Sequence, residues 1–189
     1  MKVVTLLAAV DETKCNGDKR CQRICPAGAI RVEAGLASVD PERCVACGKC
    51  VDVCTEEAVR LNVRPEPRIL AVDVAAADPA RVEEICRKAH CRPALQICAC
   101  TGTEAREVAA AILGGAKSPE DLVLMTGIGS GCGIYCMGVV FRLLDAAGVR
   151  VPEDPRWHPL SLSLWDVPDE LARKYPDYYL DEDRKVLSG

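Results

Sequence analysis

The sequence predicts an α+β chain, and three observations lead to this prediction. Residues 44–54 follow the pattern C-x2-C-x2-C-x3-C, in which closely spaced thiols can surround a metal cluster. A related pattern lies 29 residues earlier, and the residues around it repeat as well. Two further cysteine pairs flank helical segments after residue 97. We therefore expect a duplicated βαβ domain that holds two clusters, then a small mainly helical cluster-binding domain and an extended C-terminal tail.

The composition limits the classes of function that the chain can have. Its 189 residues include 13 cysteines and carry a net charge of -4. An odd number of cysteines at metal-ligand spacings argues against a closed set of disulfides and favours a reducing, cytoplasmic compartment. The acidic balance gives no basic patch for nucleic acid. The longest apolar run, residues 3–10, is too short to cross a bilayer, so no membrane span is expected.

The first domain is predicted to span residues 1–66 and to begin with a strand at residues 3–10. Its two motifs align residue by residue: Cys15, Cys21 and Cys25 match Cys44, Cys50 and Cys54, and Asp18 stands where Cys47 does. After each motif we expect a short helix and a strand, at residues 27–32 and 56–61. Three thiolates of such a loop face one cluster, while the fourth cysteine lies on the following helical turn and faces away. The alternatives are spare thiols or zinc, although zinc modules usually carry separated cysteine pairs.

These motifs resemble the bacterial two-cluster ferredoxins. The resemblance implies a ferredoxin-like fold with two [4Fe–4S] clusters, each taking three ligands from one motif and one from the other. Cluster I would use Cys15, Asp18, Cys21 and Cys54, and cluster II would use Cys25, Cys44, Cys47 and Cys50. The chain departs from the family where Thr55 replaces the proline that Pro26 keeps, and where Asp18 replaces a thiolate.

Asp18 has two possible roles. A carboxylate is a harder and weaker ligand for this iron than sulfur. If Asp18 is a ligand, one iron of cluster I is labile, and oxidation leaves a three-iron species. If Asp18 is a solvated loop residue instead, cluster I has three irons throughout.

Residues 67–96 are predicted to connect the two cluster domains. Residues 64–67 read Arg-Pro-Glu-Pro and indicate a stiff linker, followed by a strand at residues 68–74. A helix is predicted over residues 79–89, with Asp78 as its N-cap and Pro79 at its first position. Its apolar face comprises Val82, Ile85 and Ala89. Cys86 and Cys91 are interpreted as small core residues.

Residues 97–150 are predicted to form the second cluster domain. Cys98 and Cys100 precede two helices, at residues 105–113 and 122–125. Capping boxes are expected before them, at Thr101 with Glu104 and at Ser118 with Asp121, with Pro119 opening the second helix. A glycine-rich loop then leads to Cys132 and Cys136, and a third helix is expected over residues 134–147. Backbone amides of this loop could donate to cluster sulfides.

This block resembles the bacterioferritin-associated ferredoxin domain, which holds a [2Fe–2S] cluster. The resemblance implies ligation by Cys98, Cys100, Cys132 and Cys136. The family usually ends in C-x2-C, whereas this chain has C-x3-C, which leaves room for a [4Fe–4S] cluster as third cluster beside the [2Fe–2S] alternative. A rival set is Cys86 and Cys91 with Cys132 and Cys136, which has the spacing of thioredoxin-like [2Fe–2S] domains. Those pairs need strand-to-loop contexts, whereas here they fall on predicted helices.

The tail, residues 151–189, is predicted to lack one long helix because it contains five prolines: Pro152, Pro155, Pro159, Pro168 and Pro176. It also holds five of the seven aromatic residues: Trp157, Trp165, Tyr175, Tyr178 and Tyr179. Large apolar side chains must be buried somewhere. Either the tail wraps its own ferredoxin domain, or it docks a larger partner.

The arrangement as a whole resembles the small, BamC-type iron–sulfur subunit of class II benzoyl-coenzyme A reductase. The resemblance implies a tungstopterin catalytic subunit as partner, an upstream donor (a ferredoxin or an electron-bifurcating complex) and three [4Fe–4S] clusters. The complex would reduce the aromatic ring of benzoyl-coenzyme A. The chain itself carries no nucleophile–base set, so we expect a non-catalytic electron-transfer subunit.

Other classes of function remain open from the sequence. The same subunit design could serve another tungsten oxidoreductase of the aldehyde type. A freestanding polyferredoxin would be a monomer with no reason for the aromatic tail. An iron-storage module would not need the first two clusters, and a cluster-sensing regulator would need a basic DNA-reading element that we do not find.

Overall fold

The computed structural model describes residues 2–152, 154, 156–157 and 164–187. Helices and small two-stranded antiparallel sheets alternate along the chain, which confirms the α+β prediction. In the described part of the chain, no helix is both long enough and apolar enough to cross a bilayer.

The first half is built around a long strand pair. Strand β1, Lys2–Val10, runs antiparallel to β4, Val59–Leu70, with Val10 opposite Val59 and Lys2 opposite Leu70. Val4 and Ala8 of β1 alternate toward the core and are almost fully buried. The pairing of Val10 with Val59 therefore brings the two ends of the duplicated segment side by side.

The predicted linker at residues 64–67 is wrong, because β4 continues through it. The pairing is irregular there, since Val4 pairs with Arg68 and Leu6 pairs with Val63. One residue of β1, Thr5, therefore lies opposite four residues of β4, residues 64–67, which form a bulge. Proline has no backbone N–H and is tolerated in a bulge or an edge strand. The predicted boundary between residues 66 and 67 therefore falls inside a strand.

The duplication appears between β1 and β4. The first copy contains α1, Arg20–Ile24, and β2, Ile30–Glu33. A paired strand β3, Leu36–Val39, leads to the second copy and its helix α2, Lys49–Asp52. Strands form within the predicted ranges 27–32 and 56–61, but the short helices expected in these ranges are absent, and turns lead into the strands instead. The short helices lie inside the cysteine motifs instead, and Cys54 lies beyond the end of α2 rather than on a helical turn.

The second half packs three helices around an apolar core. Helix α3, Pro79–Lys88, starts at the predicted cap, where Asp78 accepts a hydrogen bond from the N–H of Ala80. The predicted apolar face of α3 is buried, as expected. Helix α4, Ala105–Leu113, and helix α6, Met137–Ala146, both pack against α3. Strands β5, Gln96–Cys98, and β6, Thr103–Glu104, precede α4.

Two helix starts differ from the predictions. The N-cap of α4 is Glu104 rather than Thr101, and its N–H donates to the carboxylate of Glu107 at 2.8 Å. Helix α6 begins three residues later than predicted, because residues 134–136 remain in the loop that carries the cysteines. Helix α5, Pro119–Thr126, has the predicted cap, with Ser118 accepting from the N–H of Asp121 at 3.1 Å.

The tail is not simply extended. A 3₁₀ turn at Leu164–Asp166 leads to α7, Asp169–Lys174, and a second 3₁₀ turn at Pro176–Tyr178 leads to α8, Leu180–Leu187. Pro168 and Pro176 interrupt helical structure, as expected. Pro155 and Pro159 lie outside the described residues.

Candidate metal centres

The four cysteines assigned to cluster II line one cavity. Cys25 arrives from the first motif, and Cys44, Cys47 and Cys50 arrive from the second. The cavity has an empty volume of about 330 Å³, and its remaining walls are apolar or glycine: Ala8, Ala27, Ala29, Ile30, Val45, Ala46, Gly48 and Leu61. The structure thus brings together the crossed ligand set, and we call this cavity site II.

The backbone of the second motif explains how three of these thiols face one cavity. Ala46 and Gly48 have φ values of 53° and 81°, so the loop reverses twice before α2 begins. Burial and the neighbouring thiols raise the pKa of Cys50 to about 12. Burial also raises the pKa of Cys47. Without metal, the Cys47 and Cys50 thiols keep their protons, and a cluster must displace these protons when it binds.

The residues assigned to cluster I line a second cavity, which we call site I. Cys15, Asp18 and Cys21 come from the first motif and Cys54 from the second, around an empty volume of about 320 Å³. Burial raises the pKa of Cys21, and Cys15, Asp18 and Cys54 add to the effect through their charges. The four predicted ligands of cluster I therefore lie close together.

Asp18 has another partner in site I. Its carboxylate accepts from the N–H of Arg20 at 3.0 Å and pairs with the Arg20 guanidinium at 3.3 Å. Its side chain is 34% exposed. Asp18 therefore lies at the wall of the cavity while it is bonded to Arg20, so the structure leaves both of its predicted roles open.

Sequence reasoning missed one matched pair of hydrogen bonds. The N–H of Ala29 donates to Cys25 Sγ at 3.2 Å, and the N–H of Ala58 donates to Cys54 Sγ at 3.3 Å. The donors are 29 residues apart, as are the acceptors, so the internal repeat was the available signal. Amide donors stabilise negative charge on sulfur and raise the reduction potential of a bound cluster.

A third group of thiols, which we call site III, lies in the second half. Cys98 ends β5, Cys100 follows in a turn, and Cys136 is the N-cap of α6. The Cys136 thiol is hydrogen-bonded to Cys98, and the Cys132 thiol is hydrogen-bonded to Cys100. The structure therefore gathers all four predicted ligands of cluster III.

Backbone and hydroxyl groups stabilise thiolates in site III. The hydrogen bond with Cys136 lowers the pKa of Cys98, and bonds with Thr101 and the Gly129 amide lower it further. The amides of Ile134 and Tyr135 lower the pKa of Cys132. These amides donate to cysteine sulfur atoms, and donation to cluster sulfides stays a prediction.

Glycine is required at one position of this loop. A Cβ at Gly131 would lie 2.4 Å from Cys100 Cβ and 2.9 Å from Cys100 Sγ. Such a contact is far inside van der Waals distance, so a side chain at residue 131 would displace Cys100.

The rival ligand set is not brought together. Cys86 is fully buried in α3 and hydrogen-bonds to Cys91, while Cys132 and Cys136 lie with Cys100 and Cys98. Cys86 packs in the core, as its interpretation as a core residue requires.

The donor sets of sites I and II suit clusters, because their thiols line cavities and in a cluster each thiolate binds a different iron. Among the described residues, no group of three His, Cys, Asp or Glu side chains is arranged to hold one metal ion.

Comparison with protein families agrees with this chemistry. Residues 8–55 match the model of the 4Fe-4S dicluster domain, and residues 96–146 match that of the BFD-like [2Fe-2S] binding domain. The chain is an iron–sulfur protein. These two domains support a role in electron transfer, and the second match points to the alternative [2Fe–2S] type for the third site. No curated protein and no solved structure matches the chain significantly.

Proposed function

We propose that this iron–sulfur protein is the electron-transfer subunit of a cytoplasmic oxidoreductase complex and holds three clusters. Each cluster supplies one-electron chemistry when bound. The observation that carries the proposal is a contact between sites II and III. Lys49 lies directly before Cys50, and its Nζ donates to the carbonyl oxygen of Gly129 at 3.3 Å. The amide of that same Gly129 is bonded to Cys98.

The proposed ligand sets follow the three sites. They are Cys15, Asp18, Cys21 and Cys54 in site I, Cys25, Cys44, Cys47 and Cys50 in site II, and Cys98, Cys100, Cys132 and Cys136 in site III. We propose [4Fe–4S] clusters in sites I and II. For site III the longer C-x3-C spacing favours [4Fe–4S], and the domain match supports [2Fe–2S].

Site III is the most open of the three sites. Cys100 and Cys132 are exposed, and the loop beyond them presents Tyr135 at 86% exposure and Ile134 at 50%. Exposed apolar side chains beside a redox site favour a protein partner on that face. We propose that the catalytic subunit docks there.

Part of the tail packs on the chain itself, but Trp157 contacts the helical half rather than the predicted ferredoxin domain. Trp157 is buried and donates from Nε1 to the Glu120 carboxylate at 3.1 Å, so this part of the tail packs on the chain's own helical half. Tyr178 and Tyr179 remain 71% and 65% exposed. We propose that the segment with these tyrosines contributes to the same partner interface.

The partner's identity is proposed from the arrangement of motifs. A duplicated ferredoxin followed by the C-x-C…C-x3-C block favours a tungstopterin subunit that dearomatises the ring of benzoyl-coenzyme A. No residue of this chain reports the substrate. The experiment is anaerobic size exclusion of native cell extract, with tungsten and this chain measured in each fraction and benzoyl-coenzyme A reduction assayed with a low-potential donor.

Three outcomes separate the parts of the proposal. Co-elution with a larger tungsten protein that reduces benzoyl-coenzyme A is expected. Co-elution without that activity would reject the substrate and favour an aldehyde-type tungsten enzyme. Elution as a free monomer would reject the subunit and favour a polyferredoxin. Tyr135→Ser should weaken co-purification of the partner, whereas Val63→Ser, at an exposed apolar residue of β4 outside the proposed contact segments, is the control.

A further inference from the structure

Two cysteines lie outside the three sites and contact each other. Cys86 is fully buried near the end of α3, and Cys91 lies half-buried just beyond the helix. The thiols share a hydrogen bond. The N–H of Cys91 donates to the Cys86 carbonyl oxygen at 3.0 Å, and the Cys91 thiol donates to the same oxygen at 3.5 Å. The helix end therefore folds back so that the two sulfur atoms meet.

The two thiols have different environments. The hydrogen bond from Cys86 lowers the pKa of Cys91, and the nearby Arg142 guanidinium lowers it further. The same bond and burial raise the pKa of Cys86. Arg142 is fixed beside them because its Nε donates to the Ala89 carbonyl oxygen at 3.1 Å. A half-buried thiol with a lowered pKa beside a buried thiol with a raised pKa is the pairing of an attacking and a resolving cysteine.

The turn between these cysteines also holds the tail. His90 has a φ of 53°, in the left-handed region. Its ring stacks on Trp165 with centroids 3.9 Å apart and an interplanar angle of 10°. A movement of Cys91 therefore also moves the adjacent His90 and changes its stacking contact with Trp165.

We propose that Cys86 and Cys91 form a reversible dithiol–disulfide pair, and that its oxidation loosens the C-terminal tail. The oxidant is a low-molecular-weight disulfide. The Cys91 thiolate attacks one of its sulfur atoms, forms a mixed disulfide and releases one thiolate. Cys86 then loses its proton and attacks Cys91 Sγ, which releases the second thiolate. Two protein thiols lose two electrons, and the small disulfide becomes two thiols.

The structural reason for the loosening is distance. A covalent bond brings the two sulfur atoms closer than a hydrogen bond does, so Cys91 must move toward α3. His90 already has a strained backbone conformation, and its stacking contact with Trp165 is the contact that breaks when Cys91 moves. The stack is present in the structure, where both cysteines are free thiols.

The experiment treats the anaerobic, cluster-loaded protein with oxidised glutathione and follows cluster absorbance throughout. Free thiols are then alkylated under denaturing conditions, and tryptic peptides are measured by mass spectrometry. Arg87 and Lys88 lie between the two cysteines, so trypsin separates them and a disulfide appears as a cross-linked peptide. We expect this cross-link while cluster absorbance is unchanged, and we expect its loss on adding dithiothreitol.

Hydrogen exchange of residues 164–187 reports the tail. We expect several-fold faster exchange after oxidation, and no change in Cys91→Ser, which cannot form the disulfide. Absence of the cross-link, or its appearance only after cluster absorbance is lost, would overturn the redox pair. A cross-link with unchanged exchange would overturn the coupling to the tail. Cys86→Ala, which keeps Cys91, should give only the glutathione adduct.

Discussion

Sites I and II arise from one duplicated sequence, yet they have become different environments. The walls of site II are apolar or glycine, and Cys25, Cys44 and Cys50 are buried. Site I includes the polar residues Asn16, Asp18 and Lys19, and its Cys15 and Cys54 are partly exposed. The duplication therefore preserved the crossed positions of the thiols while it changed polarity, charge and access to water.

The two copies share their amide donors and differ in a ligand position and in a cationic residue. The amide donors to Cys25 and Cys54 are the same in both copies. Asp18 stands in the first copy where Cys47 stands in the second. The cationic residue two positions later, Arg20 in one copy and Lys49 in the other, makes different contacts in the two copies. Arg20 pairs with Asp18 inside its own motif, whereas Lys49, 29 residues later, reaches Gly129 in the other half of the chain.

The largest expected difference between the sites is in iron content. Cys47→Ser removes a thiolate from a site with apolar walls, and we expect loss of the whole cluster, about four irons per chain. Asp18→Ser, at the equivalent position, should cost about one iron at most, because the carboxylate already holds that iron less firmly than a thiolate and the polar, partly exposed wall of site I tolerates the three-iron species that remains. Iron and sulfide analysis after anaerobic purification measures both. Equal losses of iron in the two variants would contradict the proposed difference between sites I and II.

The next effect concerns the backbone. Gly17 has a φ of 71°, and a Cβ there would lie 2.4 Å from the Gly35 carbonyl oxygen. Gly17→Ala should destabilise the loaded protein by roughly 2–4 kcal/mol, from the left-handed conformation and the overlap. The thermal midpoint, followed by loss of cluster absorbance, should fall by several degrees.

The matched control for Gly17 is its repeat partner. Ala46 already has a φ of 53°, so Ala46→Gly relieves strain while it adds freedom to the unfolded chain. We expect a change below about 1 kcal/mol. A loss in Ala46→Gly as large as that in Gly17→Ala would show that Gly35 is not the cause.

Asp18→Cys tests the ligand assignment directly. If Asp18 binds iron, mild oxidation of the natural protein should give a three-iron EPR signal that ferrous iron reverses, because a carboxylate holds iron less firmly than a thiolate. In Asp18→Cys this signal should fall to a small fraction. A natural protein that shows only the three-iron signal, with no conversion on added ferrous iron, would count against ligation by Asp18.

The smallest expected effect separates the two cations. Lys49→Gln removes a positive charge beside site II and should lower the potential of its cluster by tens of millivolts, on the order of a screened Coulomb interaction. Arg20→Gln should shift the potential of site I less, because Arg20 is paired with Asp18 and half-exposed. Redox titration followed by EPR measures both shifts. A shift of the site I potential in Arg20→Gln that equals or exceeds the shift of the site II potential in Lys49→Gln would contradict the different roles of the two cations.

Much of this arrangement could be predicted from local sequence. Cysteine spacing and the repeat predicted which residues lie together, because ligand loops are short and each copy folds alike. The Asp78–Pro79 and Ser118–Pro119 pairs predicted two helix starts, because capping depends on adjacent residues. The tail helices were missed, although acidic first turns and basic last turns in α7 and α8 were an available signal.

The remaining features depend on distant parts of the chain. The sequence at residues 64–67 has the composition of a linker, and only the pairing with β1 makes it a strand. The bond from Lys49 to Gly129 joins residues 80 positions apart, and no local pattern indicates it. The cap of α4 lies at Glu104 because Thr103 and Glu104 pair with β5 up to the residue before the helix, and Lys2 Nζ donates to the Thr103 hydroxyl at 2.8 Å.

The pairing of β1 with β4 also sets an order of assembly during synthesis. Every proposed ligand of sites I and II lies between Val10 and Val59, the residues that meet at one end of the pair. Ala8 and Leu61 line site II, and Val59 lines site I, so β4 supplies walls to both cavities and β1 supplies a wall to site II. A nascent chain that has emerged only to residue 58 has all the proposed ligands of both sites and an unpaired first strand. The strand pair can therefore close only after the proposed ligands of both sites have been synthesised.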